Sequence, residues 1–278
     1  MKKFIISLLV GSLALGASAA DTDENPIATV SQLPGYCTIF HQWGFIGDSL
    51  CSGEHESLDE QGHKGYHDYY DYSWGQRICR ACGTEGQNFS QGGETAKGWI
   101  QHFWDTTNNR NANVSAKHNP KQAYIIALGV NDRNTGIAPG DARSDVNIDD
   151  FTKNAPTFAG YYGGIIQRIK SIQPEAKIFV VTRPRDGVDD TYNVPIRQMA
   201  EIFSNVYVID LYKYAPDYSK GSDFARKFML GGHLNAAGYQ YTAWMFMTYI
   251  DWIVRNNMDD FAQVGFIGTG LRYNAPNQ

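Results

Sequence analysis

The 278-residue chain is 42% hydrophobic and carries 29 acidic against 24 basic side chains, a net charge of −5. That apolar share supports a large globular core, and the length suits one big domain or two small ones. Without a basic run, the negative balance excludes a surface built for phosphate backbones, which depends on clustered Lys and Arg. No nucleic-acid partner is expected.

Residues 1–19 have the pattern of a cleavable secretory signal peptide. Lys2 and Lys3 precede an uncharged apolar stretch, and Ala17-Ser18-Ala19 is a small-x-small cleavage site. The stretch is shorter than the roughly 20 residues a membrane helix needs, and no later apolar run reaches that length. The mature chain is therefore expected to lack a membrane span and to be secreted or periplasmic. Residues 20–36 read as a polar leader, 37–258 as the folded domain and 259–278 as a C-terminal tail.

Within the domain, residues 38–47 read as a strand ending at Gly47-Asp48-Ser49. Residues 73–82 read as a helix with Ser73 as N-cap, 87–90 as a short strand and 95–104 as a helix. Three nearly unbroken apolar runs follow, at 123–129, 177–182 and 206–211. Short β-branched runs of this kind suit strands covered on both faces, as in a parallel sheet. Helical stretches at 158–172 and 194–203 separate them, and a last amphipathic helix spans 237–255. This alternation predicts an α/β doubly wound sheet with right-handed crossovers.

In such a sheet the ligand sits beyond the carboxyl ends of the strands. Ser49, Gly93, Asn131 and His233 all fall in loops on that edge. A serine hydroxyl becomes a good nucleophile when a base takes its proton, and histidine titrates near neutrality. Attack on an ester creates an oxyanion that needs donors fixed in advance. Candidate donors are the Ser49 N–H, the Gly93 N–H and the uncharged Asn131 amide. Asp48 and Asp132 read as structural hydrogen-bonding residues.

These segments together resemble the SGNH, or GDSL-like, esterases and lipases. The blocks are Gly47-Asp48-Ser49-Leu50, a stretch around Gly93 at 88–95, Gly129-Val130-Asn131-Asp132 and a last block opening at Gly232-His233. The resemblance implies a three-layer α/β/α fold with a mostly parallel five-stranded sheet of flavodoxin-like type. It implies Ser49 as nucleophile, His233 as general base, and Ser49, Gly93 and Asn131 as the oxyanion hole. Neither a metal nor an organic cofactor is implied. One departure matters: the family usually places an Asp three residues before the histidine, and here that residue is Leu230. Three arrangements stay open: a Ser–His dyad oriented by a backbone carbonyl, a carboxylate from elsewhere such as Asp223 or Glu54, or an inactive member.

Residues 54–72 follow the nucleophile directly and should overhang the site. Tyr66, Tyr69 and Tyr70 there are candidates for stacking on sugar. A second long loop at 133–156 is expected to form the other wall. Export, aromatic loops and the lack of a lipid-like apolar cap favour an acetyl ester on a small-molecule or polysaccharide carbohydrate. A lipase, lysophospholipase or thioesterase of the same family is the enzymatic alternative, and a non-catalytic carbohydrate-binding protein on this scaffold is the other. Cys37, Cys51, Cys79 and Cys82 read as disulfide partners or buried thiols. His55, His63 and His67 lack the regular ligand spacing of a zinc site.

Overall fold

The computed structural model describes residues 24–106 and 114–274. The expected signal peptide lies outside the described residues, as does the leader up to residue 23. The strands in chain order are β1 (Gln42–Gly47), β2 (Glu54–Leu58), β3 (Lys64–Asp68), β4 (Glu85–Ser90), β5 (Ala123–Ala127), β6 (Lys177–Val181), β7 (Val206–Ile209), β8 (Met229–Leu230) and β9 (His233–Leu234). Five of them form one sheet in the order β4-β1-β5-β6-β7, with every neighbouring pair parallel. β2–β3 and β8–β9 are separate two-stranded antiparallel hairpins.

The apolar runs form strands because both faces of the sheet are covered. On one face Phe45, Ile125, Phe179 and Ile209 pack under the Trp74–Cys82 and Ala236–Asn256 helices. On the other, Ile46, Phe89, Ile126, Ile178 and Val180 pack under the Phe158–Ile172 and Asn193–Ile202 helices. This is the three-layer α/β/α architecture that the alternation of elements predicts. Among the described residues, no helix is long and apolar enough to cross a membrane.

Several boundaries differ from the sequence reading. Residues 35–39 form a 3-10 turn, and β1 begins only at Gln42. Cys37 and Phe40 both enter the core, and that three-residue spacing suits a helical turn rather than a strand. The leader and the tail are tied to the domain. Ile27 is buried, and the Ser31 N–H donates to Thr248 Oγ1 at 2.9 Å. Phe261, Val264 and Ile267 of the tail lie in the same core. All four cysteines carry free thiols, with Cys37 and Cys82 hydrogen-bonded to each other.

Candidate functional site

Gly47, Ser90 and Ala127 stand in register at the carboxyl ends of β1, β4 and β5. Ser49, Gly93 and Asn131 follow within a few residues, so the strand pairing carries all three to one edge. A side chain at Gly47 would place its Cβ 2.4 Å from the Cys51 Cβ, so the chain can turn sharply there only with glycine. Asp48 caps that turn, accepting the Leu50 N–H at 3.1 Å. Burial pushes the Asp48 carboxyl up to about 6.

The loops after β4 and β5 are laced together. Asn131 Nδ2 donates to the Glu94 carbonyl at 3.1 Å, which leaves its second N–H for a substrate oxygen. The Ala96 N–H donates to Asp132 Oδ1 at 2.9 Å. Burial drives the Asp132 carboxyl up to about 7, and its buried Oδ2 has no hydrogen-bond partner among the described residues. Gly93 is exposed at φ +78°, a left-handed conformation, with open space beside its Cα.

His233 opens β9, behind the Gly231-Gly232 turn. Asn235 then caps the last helix by accepting the Gly238 N–H at 2.8 Å. The imidazole is 16% exposed and faces a carboxylate at each nitrogen: Nε2 lies 3.0 Å from Glu54 Oε1, and Nδ1 lies 3.4 Å from Glu56 Oε2. Both acids come from β2, where residues two apart share a face. The Tyr66 ring, on β3, stands edge-on to the imidazole at 5.6 Å.

Glu56 is held from three sides. Its Oε2 accepts the Gly232 N–H at 2.8 Å, and its Oε1 pairs with Lys64 Nζ at 2.5 Å. A Cβ on Gly231 would stand 2.3 Å from the carboxylate, so the two glycines form a main-chain cradle for it. The Lys64 bond, followed by the Gly232 N–H, holds Glu56 below the usual carboxylate range. At His233 burial opposes the positive charge. The bonds and charges of Glu54 and then Glu56 outweigh that, and the imidazole is raised above its ordinary value.

The Ser49–Ser52 turn packs against β9, and the Tyr239 hydroxyl ties that turn to β2 by donating to the Glu54 carbonyl at 2.7 Å and the Ser49 carbonyl at 3.4 Å. Among the described residues no hydrogen bond links the Ser49 hydroxyl to the imidazole. An apolar cavity of about 50 Å³ lies under the neighbouring loops, lined in part by Leu50, Val130, Pro184, Leu211 and Leu234; Ser49, Gly93, Asn131 and His233 are not among its lining residues. A larger cleft of about 610 Å³ lies elsewhere, against Lys177, Asn205 and the tail, and includes none of these residues.

The remaining candidates fall in different places. Asp223 is exposed and pairs with Arg226, so it does not touch His233. Tyr66 and Tyr69 are exposed, whereas Tyr70 packs on the core with its hydroxyl buried. Tyr70 is thus half-buried, with its hydroxyl turned away from solvent. Leu230 points to solvent, 52% exposed, and contributes nothing to the imidazole. Glu56 was not among the sequence candidates; the period-2 spacing from Glu54 is the signal that reaches it.

The family model for GDSL-like lipases and acylhydrolases matches residues 45–241, from β1 into the last helix. The chain belongs to the GDSL-like lipase/acylhydrolase family. Among curated proteins none matches it in sequence. Solved structures do resemble this family member. A family two carbohydrate esterase from Clostridium thermocellum in complex with cellohexaose is 15% identical with a TM-score of 0.51, over 79% of this chain and 65% of its own. A family two carbohydrate esterase from Cellvibrio japonicus is 16% identical with a TM-score of 0.52, over 80% and 62%. A protein from Lactobacillus plantarum is 17% identical with a TM-score of 0.51, over 77% and 97%. The chain spans under two thirds of the length of the two esterases. At these identities the likeness is one of fold.

Proposed function

We propose that this GDSL-family hydrolase is an exported serine esterase that removes a short acyl group, acetyl first, from a carbohydrate. The observation that carries the reading is Glu56 on His233 Nδ1. It supplies from a hairpin the orienting carboxylate that Leu230 does not. With Nδ1–H held by Glu56, Nε2 is the basic nitrogen.

In this reaction Ser49 Oγ attacks the ester carbonyl carbon and its proton passes to Nε2. The oxyanion is received by the Ser49 and Gly93 N–H groups and the free N–H of Asn131. Collapse expels the sugar alkoxide, which takes the proton back from the imidazolium. Water then attacks the acyl-serine, with His233 again as base. Asn131 is already fixed by the Glu94 carbonyl, so little reorganisation accompanies charge development.

The acyl preference rests on the small cavity. At about 50 Å³, the apolar space beneath the flanking Leu50, Val130 and Leu234 gives little room for a long acyl chain, which favours a short one. The sugar preference rests on the exposed Tyr66 beside the base.

The test compares 4-nitrophenyl acetate with 4-nitrophenyl octanoate, for the wild type and Ser49→Ala. Acetate turnover should fall by roughly four to six orders of magnitude in the variant. Octanoate should be the poorer substrate. Equal rates for wild type and variant would overturn the esterase reading in favour of a binding protein. Preference for octanoate would overturn the short-acyl assignment. Acetate release from acetylated xylan or cello-oligosaccharides tests the carbohydrate part.

A further inference from the structure

His233 meets an acceptor at both ring nitrogens, and only the imidazolium donates from both. Glu56 sits on Nδ1, where an orienting carboxylate belongs. Glu54 sits on Nε2, the nitrogen that must accept the Ser49 proton. The rest of the Glu54 carboxylate lies against the oxyanion loop, since a Cβ on Gly92 would stand 2.0 Å from Glu54 Oε2. It therefore bridges the loop before Gly93 and the base. That gap is where the ester's alkoxy oxygen and its neighbours must enter.

Resting on the esterase reading, we propose that Glu54 is a gating and specificity residue: it locks Nε2 in the empty site and is released by a substrate hydroxyl that neighbours the ester. A monoester of a vicinal diol, as on a pyranose ring, carries such a hydroxyl. The hydroxyl donates to Glu54 in place of the imidazolium, and the Nε2 proton leaves to water. The neutral imidazole then takes the Ser49 proton. A simple alkyl or aryl acetate has no such donor and must displace Glu54 unaided.

The surroundings suit this role. Among the described residues the Glu54 carboxylate pairs with His233 and with no Lys or Arg, whereas Lys64 neutralises Glu56. The other charged or titratable groups facing the imidazole are Asp48, behind it on the β1 loop, and Tyr66 on β3. The Tyr239 hydroxyl of the last helix binds the Glu54 carbonyl, which fixes the backbone, so that only the largely buried side chain can change partners.

The test uses the full chain with Glu54→Gln and Glu54→Ala. Imidazole titration of His233 followed by NMR should show its midpoint falling by about one pH unit in both variants. Phenylmethanesulfonyl fluoride should label Ser49 several-fold faster in the variants at pH 6. The ratio of kcat/KM for a mono-acetylated methyl xyloside over 4-nitrophenyl acetate should fall at least tenfold, chiefly because the aryl ester speeds up. An unchanged midpoint in both variants overturns the lock, and an unchanged ratio overturns the hydroxyl trigger. The NMR midpoint needs no turnover, so it reads the gate even if the esterase reading fails.

Discussion

The two halves of the site are anchored in different ways. Ser49, Gly93 and Asn131 ride on loops stitched to the central sheet, with Asp48 and Asp132 buried beneath them. Glu54, Glu56 and Tyr66 ride on the β2–β3 hairpin, whose outer residues Leu58 and Tyr66 are exposed. A lone two-stranded hairpin is marginal in water and depends on what its base touches. Here the base is held by Ser52 donating to Asp68, by the Tyr69 N–H on the Gly53 carbonyl at 3.1 Å and by Tyr239 on the Glu54 carbonyl. The proposed nucleophile and oxyanion donors are thus held by the core, while the two carboxylates on the imidazole come from a hairpin fastened chiefly at its base. Fixed electrostatics stabilise a transition state best where charge develops, and movable groups suit substrate admission.

The sharpest way to break this division is Glu56→Gln. If the hairpin supplies the orienter, kcat should fall by roughly two to four orders of magnitude with little change in KM, since a triad carboxylate replaced by its amide costs about 10⁴. The pH profile gives a readout that mere structural damage would not move. In the wild type His233 is raised above its ordinary value, so activity should be lost as pH falls through that raised value, where the imidazole becomes charged and cannot act as base. Removing the Glu56 charge should move this acid limb to lower pH. An unchanged kcat and an unmoved limb would make the hairpin only a wall.

Sequence and structure agree best where the core dictates position. Ser49 and Asn131 follow strands rich in apolar residues, Gly93 follows the short strand read at 87–90, and strand pairing fixes the edge they share. His233 was placed by the helix that Asn235 caps. The hairpin was read as a loop because Glu-His-Glu-Ser-Leu in β2 contains little that favours a strand; it forms through pairing with β3 and not through propensity. The orienter stayed ambiguous for the same reason. The family pattern points to position 230, and Asp223 and Glu54 stand out as single carboxylates, whereas Glu56 becomes an obvious partner only once β2 is a strand. Tyr70 stood beside Tyr69 in sequence, but the 3-10 turn at Tyr70–Tyr72 rotates it inward.

The scaffold half can be tested through stability. Burial holds Asp132 up to about 7, against about 3.9 in an unfolded chain. Between those values the native state binds more protons, so unfolding free energy falls as pH rises from about 4 to about 7. Asp48, raised to about 6, adds to the same trend. Asp132→Asn keeps an acceptor for the Ala96 N–H and removes the buried charge. Its stability relative to wild type should grow across that window, by at most about 3–4 kcal/mol, and level off above it. Urea unfolding at pH 4.5 and 7.5 measures this. A difference that does not change with pH would mean that Asp132 is not held protonated by the loops it ties.

The smallest effect belongs to the outer face of the hairpin. Tyr66 presents an exposed ring beside the base, and an aromatic contact of this kind contributes about 0.5–1.5 kcal/mol beyond its burial. Tyr66→Ala should therefore raise KM for an acetylated oligosaccharide by roughly three- to tenfold and leave KM for 4-nitrophenyl acetate nearly unchanged. Tyr66→Phe should keep most of the affinity, because the ring face and not the hydroxyl does the stacking. Tyr70→Ala supplies the contrast: a core ring is lost, so thermal stability should drop while KM for both substrates holds. If Tyr66→Ala instead lowers kcat equally on both esters, the ring acts by packing against His233, and sugar recognition must be sought elsewhere on the cleft.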